Sequence, residues 1–141
     1  MSLPSEIEAR YTIPALRAIA ARKLVTEHGM KQHEVGQLLG VTQAAVSNYI
    51  RGARSTQLVW EEDDQLRKIA DELVSTLVAG KDEVQTVVAF NEACGKIRYT
   101  RLLCDVHSFL EPDYDVESCD TCESLSLNFR SEFVDAQGGL L

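Results

Sequence analysis

The sequence predicts an all-α protein, and three observations support this prediction. Apolar residues recur at three- and four-residue steps along most of the 141 residues. Prolines and glycines stand where such runs begin or end. No stretch alternates apolar and polar residues for long enough to predict a strand. The chain should therefore fold as a set of packed helices.

The first long helix is predicted over residues 15–25. Pro4 and Pro14 lie near the starts of helical stretches, where a missing N–H is tolerated. Apolar residues then recur at helical spacing up to Val25, and His28 and Gly29 end the run. We expect this helix to support the two that follow it.

Residues 31–54 predict a helix, a tight turn and a second helix. Val35, Leu38 and Leu39 give the first helix one apolar face. Gly40 supplies the turn conformation that residues with a β-carbon resist. Thr42 is placed to cap the next helix, because its hydroxyl can accept a hydrogen bond from an unpaired N–H of the first turn.

The second helix of this pair has an unusual outer face. Val46 and Tyr49 should point into the core. The outward residues are then short and polar, namely Gln43, Ala44, Ser47, Asn48 and Arg51. A flat polar face lets a helix enter the major groove and reach base edges and phosphates. The pattern predicts duplex DNA as a partner, whereas the alternative is a helical hairpin that only packs.

The same stretch resembles the Xre/Cro-type helix-turn-helix regulators. The matching positions are Gln32, Val35, Leu39, Gly40, Val41, Thr42, Gln43, Val46, Ser47, Tyr49 and Gly52. Gly36 departs from the pattern, since the family usually has alanine there. Glycine permits close helix approach but costs about 1 kcal/mol of helix propensity.

The resemblance implies roles for individual residues. Gln43, Ser47 and Asn48 would read bases, and Gln32, Arg51 and Arg54 would hold phosphates. The predicted DNA-binding set also includes two residues at the start of the second helix, Thr42 and Ala44.

The charge distribution agrees with a nucleic-acid partner for the first part of the chain only. The whole chain carries −8. Residues 1–56 hold seven basic and four acidic residues, a net +3, and the remainder carries −11. We expect the basic part to face the phosphate backbone and the acidic part to face away. Solubility alone is an equally good explanation of the acidic part.

Residues 57–80 predict a connecting or dimerisation helix. Leu66, Ile69, Leu73 and Leu77 form an apolar stripe, and acidic residues precede it, which suits a helix start. Gly80 ends the pattern. Because one helix-turn-helix contacts little DNA, such proteins pair on two half-sites, so we expect a homodimer through this stripe. The stripe could instead dock within its own chain.

The four cysteines all lie in the last third of the chain. They are Cys94, Cys104, Cys119 and Cys122, and only the last two have the chelating two-residue gap. Clustered thiols in a reducing compartment predict metal rather than disulfides. An iron-sulfur cluster, 4Fe-4S above all, fits because it accepts thiolates from scattered positions. The alternatives are structural zinc, a metal-free thiol switch and plain buried cysteines.

Two further expectations concern this segment. His107 could replace a cysteine as ligand, although a cap on exposed helix carbonyls is the favoured role. Cys94 and Cys104 are ten residues apart, about 80° from sharing a helical face. Both can bind one metal only if the helix breaks near Gly95 or Thr100.

A second, narrower resemblance covers about residues 1–125. The chain is similar to small archaeal Xre-type regulators in which a cysteine-bearing segment follows the helix-turn-helix. Its markers are the opening residues 4–17, the stretch 40–49 and the series Cys94, Cys104, His107, Cys119 and Cys122. The resemblance implies a sensor of redox, oxygen or iron and sulfur status.

Four segments are therefore predicted. Residues 1–56 are a DNA-binding domain, 57–80 the connecting helix, 81–125 a cysteine module and 126–141 a loosely held tail. Neither a signal peptide nor a membrane segment is recognisable, so we expect a cytoplasmic protein. No catalytic constellation appears in the sequence, which argues against an enzyme.

Overall fold

The computed structural model describes residues 2–52, 63–80 and 82–124, and in these ranges it contains helices, turns and no strand. The all-α prediction is confirmed. The elements are α1 (Pro4–Ile7), a π-helical segment (Glu8–Thr12), α2 (Ile13–Thr26), α3 (Gln32–Leu39), α4 (Gln43–Ile50), α5 (Asp64–Gly80), α6 (Glu83–Tyr99) and α7 (Leu102–Leu110). The predicted tail, 126–141, lies outside the described residues.

The first three elements follow one another without a break and form a long N-terminal helical unit. Pro4 stands in the first turn of α1, where an N–H has no partner, and Pro14 is the second residue of α2, which continues from the π-helical segment. The predicted helix over 15–25 lies within α2. Gly29 then takes a φ of +64°, a left-handed conformation that favours glycine.

The core is continuous from the N-terminal half to the cysteine-bearing half. α2 contacts α3, α4 and α5. Leu24, Val35 and Val46 are completely buried there and belong to one apolar cluster with Leu77 and Ile97. Because α2 contacts α3, α4 and also α5, it links the predicted DNA-binding helices to the rest of the chain.

The apolar stripe of α5 is buried within its own chain. Leu66, Ile69, Leu73 and Leu77 are each at most 5% exposed. α5 packs along α6 and against α2. The stripe thus docks inside the chain, the second of the two possibilities raised by the sequence, and is not free to bind a second copy.

α6 begins at a side-chain cap and ends at a sharp break. Asp82 Oδ1 accepts a hydrogen bond from the N–H of Gln85 at 2.8 Å. After α6 ends at Tyr99, Arg101 takes a φ of +65° and α7 starts at Leu102. The helical run therefore breaks beside Thr100, one of the two positions at which a break was needed if Cys94 and Cys104 are to bind one metal.

The N-terminus reaches the far end of the molecule. α1 contacts α7, and the N–H of Ser2 donates to the carboxylate of Glu111 at 2.9 Å. The guanidinium of Arg98 on α6 donates two hydrogen bonds to the carboxylate of Glu8. The N-terminal helical unit thus contacts both the helix-turn-helix and the segment that carries the cysteines.

Candidate DNA-binding surface and cysteine cavity

The turn between α3 and α4 depends on two glycines. Gly40 has a φ of +68°. Gly36 is buried, and its carbonyl accepts a hydrogen bond from the N–H of Val41 at 2.9 Å. A β-carbon at position 36 would lie 2.8 Å from the carbonyl oxygen of Val41. Gly36 thus allows a close approach of the turn to α3, which opposes the cost in helix propensity.

α4 starts where the sequence predicts. Thr42 caps the helix, because its Oγ1 accepts a hydrogen bond from the N–H of Ala45 at 3.0 Å. Val46 is fully buried, and Tyr49 packs partly buried against the core. With these side chains facing inward, the orientation of α4 is fixed by packing on α2 and α3.

The predicted DNA-contacting residues lie on and beside α4. Gln43, Ala44 and Arg51 are exposed, while Ser47 and Asn48 are half-buried. Nη2 of Arg51 donates to Oδ1 of Asn48 at 3.1 Å. Gln32 is half-buried at the first position of α3, and Thr42 is exposed. Arg54 lies outside the described residues.

Three of the four cysteines line one small cavity. Cys104 on α7 and Cys119 and Cys122 in the segment 111–124 border a cavity of about 110 Å³. Ser2 and Ile7 belong to the wall that the N-terminus contributes. Among the described residues, no three His, Cys, Asp or Glu side chains are grouped as ligands of one metal ion.

The fourth cysteine lies in a different place. Cys94 on α6 lines an open cleft of about 860 Å³ between α6 and the α2–α3 region, together with Arg17 and Leu38. Burial raises the pKa of Cys94 to about 11. The sequence grouped all four cysteines, whereas the structure brings three of them to one cavity.

The three cavity cysteines have different environments. Burial raises the pKa of Cys122 to about 11 and also raises the pKa of Cys104. Two hydrogen bonds lower the pKa of Cys119, the larger contribution coming from Thr121 and the next from Tyr114. The Tyr114 hydroxyl donates to Cys119 Sγ at 3.3 Å. Cys119 is therefore the thiol of this cavity that ionises most readily.

Arg101 holds the segment that carries two of the cavity cysteines. Nη1 donates to the carbonyl oxygen of Cys119 at 3.1 Å and to Glu123 at 2.8 Å, and Nη2 donates to the carbonyl oxygen of Val116 at 2.6 Å. Sequence analysis missed this residue. No sequence pattern points to Arg101, because its hydrogen bonds reach residues far along the chain and an arginine does not signal a left-handed backbone conformation.

His107 also lines the cysteine cavity. It lies one helical turn after Cys104 on α7 and is 9% exposed. Its Nε2 lies 2.6 Å from Oε2 of Glu111, and its ring stacks on Tyr114 with centroids 4.4 Å apart. The sequence favoured a cap on helix carbonyls for this side chain, but the imidazole instead pairs with a carboxylate.

Glu111 connects this cavity to the N-terminus. The backbone N–H of Ser2 lowers the pKa of the Glu111 carboxyl to about 2, and the contact with His107 acts in the same direction. The carboxylate is therefore ionised throughout the neutral range, which keeps the acceptor for Ser2 in place.

The fold and surface of residues 32–51 define a class of protein, the DNA-binding proteins with a helix-turn-helix. Residues 19–58 match the family HTH_3, described as helix-turn-helix, so the chain contains an Xre/Cro-type helix-turn-helix domain. This family typically consists of non-enzymatic DNA-binding regulators.

The other comparisons add no relatives. No curated protein and no solved structure matches the chain. None of the helices described is long and apolar enough to cross a membrane. The helix-turn-helix domain supports a DNA-binding transcriptional regulator.

Proposed function

We propose that the protein is a sequence-specific transcription regulator that reads its operator with α4. Gln43, Ser47 and Asn48 contact base edges in the major groove. Gln32, Arg51 and Arg54 contact the flanking phosphates, and Thr42 and Ala44 complete the surface. The observation that carries the proposal is the capped α4, which buries Val46 and leaves a short polar face outward.

The experiment selects an operator from random duplex DNA and then measures binding of variants to it. Gln43→Ala and Ser47→Ala should each weaken specific binding by about 1–3 kcal/mol and relax the sequence preference. Arg51→Ala should weaken binding to all sequences and lower the salt slope by about one unit. Gln65→Ala, at an exposed position of α5, is the matched control. Equal operator affinity for wild type and a Gln43/Ser47 double variant would contradict the assignment of α4.

We further propose that the protein binds DNA as a cytoplasmic homodimer. Two helix-turn-helix domains on half-sites about 34 Å apart, or a multiple of that, give the contact area that one domain lacks. Since the α5 stripe is buried in its own chain, the dimer forms through another surface. Sedimentation should give a dimer at micromolar concentration, and footprinting should give two protected half-sites. A monomer with an asymmetric footprint would refute this assembly.

The regulatory part of the proposal is an iron-sulfur cluster, 4Fe-4S, on Cys94, Cys104, Cys119 and Cys122. The cavity bordered by three of these thiols supports it, because an iron-sulfur cluster is held by thiolates. A change in redox state, oxygen or iron and sulfur supply would then alter operator affinity. Structural zinc is the second candidate metal.

One observation favours a metal-free thiol switch as a second candidate function. The pKa of Cys119 is lowered while burial raises the pKa of Cys122, its neighbour in the two-residue gap. That difference suits a nucleophilic thiol with a resolving partner.

Purification without oxygen, with analysis of iron, sulfide and zinc, separates these candidates. Iron and sulfide with visible absorption support the cluster, and zinc alone supports the structural site. Metal-free protein whose operator affinity changes on oxidation supports the switch. Unchanged operator affinity after the loss of metal would mean that the cysteines do not regulate DNA binding.

A further inference from the structure

The cysteine cavity contains a fourth group able to bind metal, and this group is not Cys94. His107 lines the same cavity as Cys104, Cys119 and Cys122. Cys104 and His107 are three residues apart on α7, so they face the same side of that helix. Cys94, in contrast, lines the cleft between α6 and the α2–α3 region.

The charges of the three cavity cysteines act on one another. The charge of Cys119 affects the pKa of both Cys104 and Cys122, and Cys104 also affects Cys122. The charges acting on Cys94 come from Glu8, Arg98 and Arg17, of which Glu8 and Arg98 also act on Cys122.

The hydrogen bond of His107 is the one that a metal-binding histidine makes. In metal sites the imidazole nitrogen that faces away from the metal is almost always bonded to a carboxylate, a backbone carbonyl or water, which fixes the tautomer and the ring orientation. Nε2 of His107 has such a contact with Glu111 at 2.6 Å. Stacking on Tyr114 further restrains the ring. Nδ1 is the nitrogen left to serve as ligand.

The size of the cavity limits what it can hold. A typical organic ligand pocket measures about 300–1,000 Å³, whereas one water needs roughly 10–15 Å³. At about 110 Å³ the cysteine cavity suits a metal ion or a compact inorganic cluster. Three sulfurs and one imidazole are ligands for zinc, and for an iron-sulfur cluster in which histidine replaces one cysteine.

We infer that Cys104, His107, Cys119 and Cys122 are the ligands of a thiolate-binding metal centre, either zinc or an iron-sulfur cluster, and that Cys94 is outside it. This inference rests on the proposal that the cysteines bind metal, and it replaces one of the four ligands given there. In the described residues these four side chains border one cavity but are not yet grouped as ligands of one metal ion, so binding requires them to move closer together.

The N-terminus takes part in the site. Ser2, Leu3, Pro4 and Ile7 line the cavity, and Ser2 is bound to the same Glu111 that orients His107. Since the N-terminal helical unit continues into α2, which packs on α3 and α4, occupancy of the centre acts on the DNA-binding helices through this unit.

The test measures iron, sulfide and zinc in protein purified without oxygen, for six single variants and the wild type. Cys104→Ser, Cys119→Ser, Cys122→Ser and His107→Ala should lose most of the bound metal. Cys94→Ser should keep the wild-type content. His107→Cys should restore the metal content, because it supplies a fourth thiolate on the same face of α7.

Circular dichroism of each variant checks that the helices persist, and X-ray absorption of the wild type gives a result that does not depend on variants. Three sulfur neighbours and one nitrogen neighbour per zinc, or one imidazole-ligated iron in a cluster, are expected. An all-sulfur ligand shell, or loss of metal from Cys94→Ser with retention in His107→Ala, overturns the inference and leaves the four-cysteine cluster standing.

The remaining outcomes separate the inference from the proposed function. Zinc bound by the predicted four residues supports the inference while the iron-sulfur proposal fails. A wild-type protein that holds neither iron nor zinc after anaerobic purification and reconstitution with either metal overturns both.

Discussion

The helix-turn-helix and the cysteine cavity differ in the sequence distance of the contacts that build them. In the helix-turn-helix, Thr42 caps Ala45 and the N–H of Val41 binds the carbonyl of Gly36. Around the cavity, Ser2 contacts Glu111 and Glu8 contacts Arg98, which are 109 and 90 residues apart. The first region is thus specified locally, whereas the second exists only when the whole chain has folded.

The largest effect is expected at the ion pair of Glu8 and Arg98, which joins the N-terminal helical unit to α6. The Glu8 side chain is 10% exposed, so Arg98→Met leaves a nearly buried carboxylate without its partner. We expect a loss of about 3–5 kcal/mol in the free energy of unfolding, measured by urea denaturation.

The matched control is Lys96→Met on the same helix. Lys96 pairs with Glu72, but both side chains are at least half exposed, and such pairs contribute about 1 kcal/mol or less. The double variant Glu8→Gln/Arg98→Met should regain part of the lost stability because no charge remains unpaired. Equal losses for Arg98→Met and Lys96→Met would contradict the importance of the long-range pair.

The second-largest effect is expected in the helix-turn-helix, the region that is specified by local contacts. Gly36→Ala places a β-carbon against the Val41 carbonyl, and we expect a loss of about 1–3 kcal/mol in the free energy of unfolding. Gly95→Ala on α6 is the control, since no atom lies within 4 Å of the added carbon. That variant should gain roughly 0.5–1 kcal/mol from helix propensity. A gain for Gly36→Ala as well would mean that the turn does not need its close approach to α3.

The difference between local and long-range contacts decides which parts of the molecule could be predicted from the sequence. The positive φ of Gly40, the cap at Thr42 and the burial of Val46 are each signalled within a few residues, so the helix-turn-helix was predictable. The sequence required a break near Gly95 or Thr100 only if Cys94 and Cys104 bind one metal, and α6 does end beside Thr100 although the two cysteines line different cavities. These are arguments about helical geometry, which holds in any fold.

The rest of the fold and of the cysteine cavity depends on tertiary contacts that the sequence does not show. The stripe of α5 signalled that a face is buried but not whether α2, α6 or a second copy covers it. The residue types of the cysteines suggested metal chemistry, but Cys94 faces a different cleft from the other three. The supporting contacts of Arg101 and Glu111 join segments that are far apart in sequence, and no short-range pattern reports them.

The smallest effect concerns the pH dependence of the contact that holds the N-terminus at the cavity. Hydrogen bonds, that of the Ser2 N–H first and that of His107 among the others, lower the pKa of Glu111 to about 2, below the ordinary 4.5. Ionised Glu111 therefore contributes stability above about pH 4.5, and this contribution is lost as the pH falls through 2. Glu111→Gln should be less stable than wild type at pH 7, and the difference in unfolding free energy should shrink between pH 4.5 and 2.

The control is Glu92→Gln, which removes an exposed carboxylate of α6 and so reports the effect of losing a surface charge alone. A difference that stays constant from pH 7 to pH 2 would show that Ser2 does not bind the ionised carboxylate, and the cavity would then lack its link to the N-terminal helical unit.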